Sequence, residues 1–363
     1  MAPSFIPGLE LSRIFFEEAV KPILTQNYPL LRYDAALIGP GSEVLEFDDP
    51  VSSDHHWGPR LQLFLEETDY SKNRNEISLL LRQKLPYSIR GYSTHWSEPD
   101  PSDAMNQFLE PRSSGLVNHR VEIYSISAYL MKVLNIETTE LTNIDWLILP
   151  EQRLLELTSG KVYHHGHGEI LKVRKFFNYY PDNVWHYKLV SEWDHIAEEI
   201  AFVGRSVTRG DDLGSRLEAA RLVRSIIRLA FILSKKYIPY PKWFAYSFSF
   251  IPIAIHLQPA LLAILKQNSW QKREELLCNA YLLLLDYQNS LQITPEIVLK
   301  PAQFHSRDQT VIDVQKIIVE LKKLLNSPLD KVKYSIGSVD QFIDDTHILT
   351  DASFAEKARV FYY

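Results

Sequence analysis

A glycine-rich turn between two apolar segments constrains the fold of this chain more than any other stretch. Residues 33–42 (YDAALIGPGS) form an apolar run that ends in Gly-Pro-Gly-Ser, and such an ending forces a sharp turn. Ser42 is placed where its hydroxyl can cap a helix-like segment that follows. An acidic loop then leads to residues 54–65 (DHHWGPRLQLFL), whose second half places a leucine at every other position. The pattern predicts a strand, a tight turn and a second strand that opens with Asp54.

Length and composition predict a globular protein of two domains. The chain has 363 residues, of which 45% are hydrophobic and 23% charged, and a chain of this length can bury two cores. We place the boundary near Pro150, which gives domains 1–150 and 151–363. A net charge of −6 argues against nucleic acid or an anionic membrane as a partner, so any phosphate binding must be local.

The single cysteine and one long apolar stretch indicate in which cellular compartment to expect the protein. Cys278 lies in an apolar helical run, as a buried structural thiol does, and a lone cysteine fits a reducing compartment. The stretch 244–265 imitates a membrane span, but Pro252, Pro259 and polar side chains predict two short buried helices split at the prolines. The N-terminus shows no secretion signal. We therefore expect a cytoplasmic protein without membrane contact.

Hydrophobic periodicity divides the chain into a mixed first half and a helical second half. Strand patterns occur at residues 33–39, 57–65 and 119–126, with helical patterns between and around them. Beyond residue 169 strand patterns almost vanish, and helical runs continue to residue 326. The predicted fold class is therefore α+β, a mixed sheet with helices followed by an all-helical C-terminal domain.

Acidic side chains on the later strands could form a site together with the glycine turn. Residues two apart in a strand share a face, so Asp54 and His56 would point the same way, and Glu122 on a neighbouring strand could close the site. Nucleotidyl transfer uses this combination, because carboxylates on rigid strands hold the divalent metals that clamp the attacking and leaving oxygens. Gly41 would let the backbone approach phosphates, and Ser42 would add a hydroxyl.

The spacing of these residues resembles the signature of the polymerase-β-type nucleotidyltransferase superfamily. In that signature a Gly-Ser turn precedes an Asp-x-Asp or Asp-x-Glu strand, and a third acid arrives on a later strand. Gly41, Ser42 and Asp54 match it, and Glu122 is the candidate third acid. The resemblance implies a nucleotidyltransferase-like sheet, a nucleoside triphosphate such as ATP as substrate, and Mg²⁺ or Mn²⁺ held by Asp54, His56 and Glu122.

Nearly the whole chain also resembles an uncharacterised bacterial family, a domain of unknown function with such a nucleotidyltransferase domain and a helical C-terminal half. The segments that carry this resemblance are GSEVLEFDDPVSSDHHWGPR, DWLILPEQRLLELTSG, YPDNVWHYKL, EEIAFVGR, GDDLGSRLEAARLVRSIIRLAF, YIPYPKW and GSVDQF. The resemblance implies the fold, and it implies no particular reaction.

Two positions depart from the pattern of these relatives. The relatives usually have a second Asp where this chain has His56, and often Gly where it has Glu46. Imidazole is a poor ligand for Mg²⁺ but is accepted by Mn²⁺ or Zn²⁺. The site therefore either works with its remaining acids and a softer metal, or has lost metal catalysis. Asp48 and Asp49 could substitute as ligands, although acidic loop residues are usually just solvated.

Basic residues in the helical half could contact a triphosphate. Arg221, Arg224 and Arg228 recur at spacings of three and four, so they form one stripe on a helix. Lys242, in the sequence YPKW, belongs to a corner that suits phosphate contact or base stacking. The alternatives are a solvated helix face paired with nearby glutamates for the arginines, and a plain helix start for the corner.

The histidine-rich run at residues 164–168 (HHGHG) could suggest a metal site. It lacks the spaced second pair of ligands that a structural zinc site has. A surface turn is therefore favoured.

Three hypotheses of function remain open. The first is a metal-dependent nucleotidyltransferase that adenylylates a small molecule or a protein, with Glu198 or Glu199 as a candidate general base. The second is a nucleotide-binding protein without catalysis, in which His56 marks the lost acid. The third is a regulatory or toxin–antitoxin-like protein, in which the helical half is the interaction surface. Substrate specificity would lie in loop 98–115 and in the helical cleft.

Overall fold

Two units divide the chain in this computed structural model, which describes residues 4–52, 57–103 and 105–363. The first unit comprises Met1–Glu140 and Arg153–Asn178, and the second comprises Leu141–Gln152 and Tyr179–Tyr363. The chain therefore enters the second unit for a short stretch, returns to the first, and then leaves it for the remainder of its length. The predicted domain boundary at Pro150 stays a prediction.

The N-terminal half alternates helices with short strands. In chain order the elements are α1 (Gly8–Phe15), a π-helical turn (Phe16–Val20), α2 (Lys21–Asn27), β1 (Tyr33–Leu37), a 3₁₀ turn (Glu43–Leu45), β2 (Arg60–Leu65), α3 (Glu67–Lys84), β3 (Ser88–Ile89), β4 (Tyr92–Ser93), β5 (Arg120–Tyr124) and α4 (Ile126–Leu134). Next come α5 (Asn143–Ile148), α6 (Glu151–Thr158), β6 (Lys161–His165) and α7 (Glu169–Phe176).

A mixed four-stranded sheet in the order β5-β2-β1-β6 forms the centre of the first unit. Strand β2 pairs parallel with β5 and antiparallel with β1, and β6 pairs antiparallel with β1. Leu61 and Leu63 on one face of β2 belong to the same buried core cluster as Phe15. Because side chains alternate along a strand, the opposite face of the β2–β5 pair carries Gln62 and Glu122. Phe64 and Tyr124 share this second face, so it is mixed in character, whereas the first face packs on the apolar core.

The second unit is predominantly helical. After α5, its elements are α8 (Asp182–Glu199), α9 (Phe202–Val207), α10 (Asp212–Leu233), α11 (Pro241–Phe248), α12 (Ala254–Lys266), α13 (Trp270–Ser290), β7 (Ala302–Gln303), β8 (Thr310–Val311), α14 (Gln315–Lys322), a 3₁₀ turn (Leu329–Lys331), α15 (Val339–Phe342), α16 (Thr346–Leu349), α17 (Ala352–Ala355) and a 3₁₀ segment (Glu356–Tyr362). Strands β7 and β8 form one short hairpin. The α+β class with a helical C-terminal half is confirmed.

The second strand begins later than predicted. It starts at Arg60, so residues 57–59 precede it. Gly58 has a φ of +148°, and Pro59 has no N–H to donate to a neighbouring strand, so the backbone there does not continue the ladder. Asp54 and His56, which we expected to share a face of this strand, lie outside the described residues.

The apolar stretch 244–265 is divided between two helices, α11 and α12. Pro252 lies between them as predicted, whereas Pro259 lies inside α12 and does not end it. Cys278 is buried in α13, and burial raises the pKa of its thiol to about 12. Among the described residues, no helix combines the length and the apolar character that crossing a bilayer requires.

The histidine-rich run ends a strand and starts a helix. His165 is the last residue of β6, and α7 starts at Glu169. Asp34 of β1 is fully buried, and its carboxylate accepts the backbone N–H groups of Gly168 at 2.9 Å and of Ile170 at 3.1 Å. The His167 ring, 3% exposed, lies 3.2 Å from the same carboxylate. A surface turn is therefore the wrong description of His167, because a buried acid on the neighbouring strand β1 holds its ring in the interior.

Candidate functional site

The turn after β1 has a backbone conformation that requires glycine at Gly41. Its φ is +137°, in a region that residues with a Cβ rarely enter. A Cβ there would also collide with the Glu43 carboxylate and the Arg60 guanidinium. The N–H of Gly39 donates to the carbonyl of Glu156 at 2.9 Å, which links the turn to helix α6. The fold itself therefore requires Gly41, whether or not a phosphate approaches it.

A buried ion pair supports the turn. Nε and Nη2 of Arg60 donate to Oε1 of Glu43 at 2.8 and 2.6 Å, and Nη2 also donates to the carbonyl of Pro40 at 2.6 Å. The two charged side chains are 5% and 3% exposed. Removing one member of such a pair leaves an uncompensated charge in the interior, at a cost of about 3–5 kcal/mol. The pair therefore ties the turn to the first residue of β2.

Ser42 precedes the 3₁₀ turn, but its hydroxyl does not cap it. The N–H groups of Val44 and Leu45 already donate to the carbonyls of Gly41 and Ser42, each at 3.2 Å, so the short turn needs no side-chain acceptor. The Ser42 hydroxyl instead donates to the carbonyl of Ser52 at 3.4 Å. The predicted cap is therefore wrong. The predicted contact of this half-buried hydroxyl with phosphate stays a prediction.

Glu122 lies on the face of the sheet opposite the apolar core, with a cation beside it. It is in register with Gln62, whose Nε2 lies 3.5 Å from Oε2 of Glu122. Lys132 of α4 donates to Oε1 at 3.1 Å. Burial would raise the pKa of Glu122, but the Lys132 ammonium and two more distant guanidinium groups outweigh it, so the pKa lies below its usual value. Glu122 is therefore an ionised carboxylate at neutral pH, and it is already paired.

The predicted metal ligands fall largely outside what the structure describes. Asp54 and His56 lie outside the described residues, and Glu122 faces an ammonium group. Within 4–52, 57–103 and 105–363, no group of three or more His, Cys, Asp or Glu side chains could hold a metal ion. Magnesium needs several oxygen ligands, so the described residues alone do not fit a divalent metal.

Both acidic loop residues that were considered as substitute ligands have structural contacts. Asp48 accepts the N–H of Gly8 at 2.7 Å and the indole N–H of Trp57 at 2.9 Å. Asp49 accepts hydrogen bonds from the Ser52 N–H and hydroxyl, which lower the pKa of its carboxyl group. Each carboxylate therefore shapes the loop.

A cavity of about 740 Å³ lies in the second unit, and we call it the α8–α10 cavity. Helix α8 contributes Asp194, His195 and Glu198, and helix α10 contributes Arg221, Arg224 and Arg228. Residues 334–336 and 341–344 form a third wall. The volume falls within the range of small-molecule sites, about 300–1,000 Å³. The predicted arginine stripe therefore lines a cavity together with acidic residues.

Two arginines of the stripe have carboxylate partners. Nε of Arg221 lies 2.8 Å from Oε2 of Glu199, and Arg224 donates twice to Asp344, at 2.6 and 2.8 Å. Burial raises the pKa of Glu199, although Arg221 and His195 oppose it. Both arginines are thus at least partly neutralised by protein carboxylates. Their predicted contact with a triphosphate stays a prediction.

Lys242 occupies an exposed position at the start of α11. Its Nζ lies 5.0 Å from the ring centroid of its neighbour Trp243. Helix α11 starts at Pro241, as the plain reading of the YPKW corner expected. The N–H of Tyr240 donates to Gln152 at 2.9 Å. Lys242 does not line the α8–α10 cavity.

A buried charge cluster in the second unit was missed by the sequence analysis. Lys188 is fully buried, and its Nζ lies 2.6 Å from both Oε1 of Glu151 and Oγ of Ser338. Asp340 accepts the N–H of Glu151 at 3.0 Å. Burial, followed by the Glu151 carboxylate, raises the pKa of Asp340 to about 7. A lysine on the apolar face of a helix was the available signal, but its partners lie in distant segments of the chain.

Comparisons with known proteins give a family match without an activity. Residues 146–244 match a family model described as "Domain of unknown function (DUF4037)". No curated protein matches the chain significantly. Among solved structures, a nucleotidyltransferase-like protein from Exiguobacterium sibiricum 255-15 is similar at 11% identity over 85% of this chain and 89% of that chain, with a TM-score of 0.34. A TM-score of this size carries no argument about a shared fold or function.

Proposed function

We propose that the first unit binds a nucleoside triphosphate, ATP in the first instance, at the glycine turn and transfers its nucleotidyl group to a small molecule or a protein. The observation that carries this proposal is the turn itself. It holds Gly41 beside a buried arginine, and β2, which follows the loop, pairs with the strand that bears Glu122. Backbone N–H groups in a glycine turn are well suited to phosphate oxygens.

The proposed reaction is a displacement at the α-phosphorus. A hydroxyl oxygen of the acceptor forms the new bond, the bond to the pyrophosphate oxygen breaks, and the acceptor gives up its proton to a base. Gly41 and Ser42 are the proposed phosphate contacts, and Asp54, His56 and Glu122 are the proposed polar side chains of the site. A divalent metal held by these three would neutralise charge on the phosphates.

One specific observation favours a second candidate, a nucleotide-binding protein without catalysis. Lys132 lies 3.1 Å from Glu122, so the third acid has an ammonium partner in place of a metal. An imidazole at position 56 also replaces the carboxylate that Mg²⁺ prefers. In this reading the turn binds phosphates and no transfer occurs.

Transfer of label from α-labelled ATP, GTP, CTP or UTP tests the first candidate. The full chain is incubated with each nucleotide, Mg²⁺ or Mn²⁺, and a cell extract that supplies acceptors. We expect label in an acceptor or in the protein itself, and we expect Asp54→Asn to abolish it. The matched control is Glu46→Gln in the same loop, whose carboxylate is 71% exposed and should leave the label unchanged.

Label transfer and thermal stabilisation by nucleotides together distinguish the nucleotidyltransferase from the nucleotide-binding protein without catalysis. Stabilisation by ATP against thermal unfolding, without transfer and without dependence on metal, supports nucleotide binding alone. If no nucleotide raises the melting temperature with either metal, both candidates are wrong and the interaction-protein hypothesis gains support. The variant His56→Asp sharpens the result, because a gain of Mg²⁺-dependent transfer would show that the histidine had disabled a recoverable site.

A further inference from the structure

The α8–α10 cavity carries opposite charges on its two helical walls. On α8, Asp194 and Glu198 are four residues apart and lie on one side of the helix. On α10, Arg224 and Arg228 have the same spacing and line the same cavity. The cavity therefore combines an acidic wall with a basic wall, an arrangement suited to a ligand that carries both charges.

Some of these charges have no strong partner in the protein. Among the described residues, the side chains of Asp194 and Glu198 form no hydrogen bond or ion pair. Within the described part of the chain, Arg228 makes a single hydrogen bond, from Nη1 to the carbonyl of Gln341 at 3.4 Å, and a guanidinium has five donors. The carboxylates of Asp340 and Asp344 interact with its charge without a hydrogen bond to it. These groups can therefore bind a ligand without first breaking a strong bond within the protein.

Two buried polar side chains at the same cavity are incompletely satisfied. Glu192 and Ser225 line it and are each 1% exposed. Oε2 of Glu192 accepts from Gln341 at 2.9 Å, whereas its Oε1 and the Ser225 hydroxyl have no hydrogen-bond partner among the described residues. A buried polar group without a partner costs about 1–3 kcal/mol, and folded proteins seldom leave such groups unpaired unless a site needs them. Gln341 connects this acidic side to Arg228, since its carbonyl accepts the Arg228 hydrogen bond.

We propose that the α8–α10 cavity binds a small zwitterionic molecule, with an ammonium group on the carboxylates of Asp194 and Glu198 and a carboxylate or phosphate group on Arg228. The charges of the two walls disfavour ligands whose charges are all of one sign. The acidic wall repels a molecule with several negative charges, and the arginines repel a molecule with several positive charges. The site does not depend on nucleotide binding by the first unit, so it goes beyond the function proposed above.

Calorimetric titration of the full chain with defined probes tests this site. Free L-amino acids supply an ammonium with a carboxylate, and O-phosphoethanolamine supplies an ammonium with a phosphate. Ethanolamine and inorganic phosphate are the matched probes with one charged group each. We expect one zwitterionic class to bind at least about tenfold more tightly than either single-charge probe, since each half contributes a charge-assisted contact.

Variants locate the binding. Arg228→Gln removes the guanidinium that would bind the anionic group of the ligand. Glu198→Gln removes one of the two carboxylates that would bind its ammonium group. Each variant should weaken binding of the preferred zwitterion about tenfold. The control is Arg216→Gln, a half-buried arginine on α10 that pairs with Asp212 and does not line the cavity. Glu198 is exposed, so its variant remains informative even if Arg228→Gln fails to fold.

The proposal is wrong if no zwitterion binds at about 10 mM, well above a Kd of about 1 mM. Binding of a single-charge probe equally well, or no response to both variants, would also overturn it.

Discussion

Two arginine–carboxylate pairs in this protein have almost the same contact distance and different surroundings. Arg60 and Glu43 approach to 2.6 Å with side chains 5% and 3% exposed, while Arg224 and Asp344 approach to 2.6 Å with side chains 42% and 57% exposed. The buried pair supports the turn after β1 through the hydrogen bonds of Arg60 to Glu43 and to the carbonyl of Pro40. The exposed pair lies in the wall of a cavity, where water screens it. Burial therefore decides whether such a pair supports the fold or remains free to rearrange for a ligand.

The largest effect is expected from breaking the buried pair. Arg60→Met leaves the Glu43 carboxylate uncompensated, and it should lower the free energy of unfolding by about 3–5 kcal/mol. Urea unfolding followed by circular dichroism measures this. The double variant Arg60→Met with Glu43→Leu removes both charges and should recover much of the loss. A loss below about 1 kcal/mol would mean that the pair behaves like an exposed one.

Gly41→Ala should come next in size. A Cβ is strained at a φ of +137° and collides with the pair, so we expect a loss of roughly 2–4 kcal/mol. Gly210→Ala is the matched control, because its φ is +80° and a Cβ there meets nothing within 4 Å. The control should lose roughly 1 kcal/mol, the cost of the left-handed conformation alone. Equal losses for the two variants would contradict the collision at Gly41.

Glu274 extends the comparison to a buried carboxylate without an arginine. It is 2% exposed and accepts the N–H of Thr310 at 2.9 Å, with no cation partner among the described residues. Burial raises the pKa of Glu274 to about 7. The unfolded carboxyl releases its proton near pH 4.5, so between that pH and about 7 the folded state keeps a proton that the unfolded state has lost. The contribution of this group to stability should therefore fall as the pH rises through that window.

The variant Glu274→Gln tests this linkage. It should be more stable than the wild type above pH 7, and the difference should shrink as the pH falls towards 5, as measured by urea unfolding over this range. Glu275→Gln, at an exposed position paired with Lys272, serves as the control and should keep the wild-type pH profile. A parallel profile for Glu274→Gln would show that Glu274 titrates in the ordinary range.

Breaking the exposed pair should have the smallest effect on stability. Arg224→Gln removes both hydrogen bonds to Asp344, and we expect a loss of about 0.2–1 kcal/mol that shrinks further in high salt. Unfolding in urea at two salt concentrations measures it. A loss as large as that of Arg60→Met would remove the distinction between the two pairs.

Local sequence patterns predicted much of the fold. Strand β1, the glycine turn and the helical second half all follow from periodicity and turn residues. Strand β6 was missed because its five residues, KVYHH, show no alternation of polar and apolar side chains. Its pairing with β1 is also irregular, with a register shift between Ala35 and Ala36. The start of β2 was placed too early, at Asp54, because the prediction did not let Gly58 and Pro59 interrupt the strand.

The side-chain partners of the candidate sites could not be predicted. Arg224 and Asp344 are 120 positions apart, and Lys188 and Ser338 are 150 apart. Pairing at such distances follows from how whole helices pack and leaves no periodic trace in the sequence. The motif identified Gly41 correctly as a special position, but it did not reveal that Glu43 and Arg60 require the glycine.

Hydrogen exchange measured by mass spectrometry, with and without ATP and a divalent metal, tests most directly where a nucleotide binds. We expect ATP to slow exchange in the peptide covering residues 38–47, around the glycine turn. Protection confined to residues 191–228, or no protection at saturating ATP, would contradict nucleotide binding by the first unit.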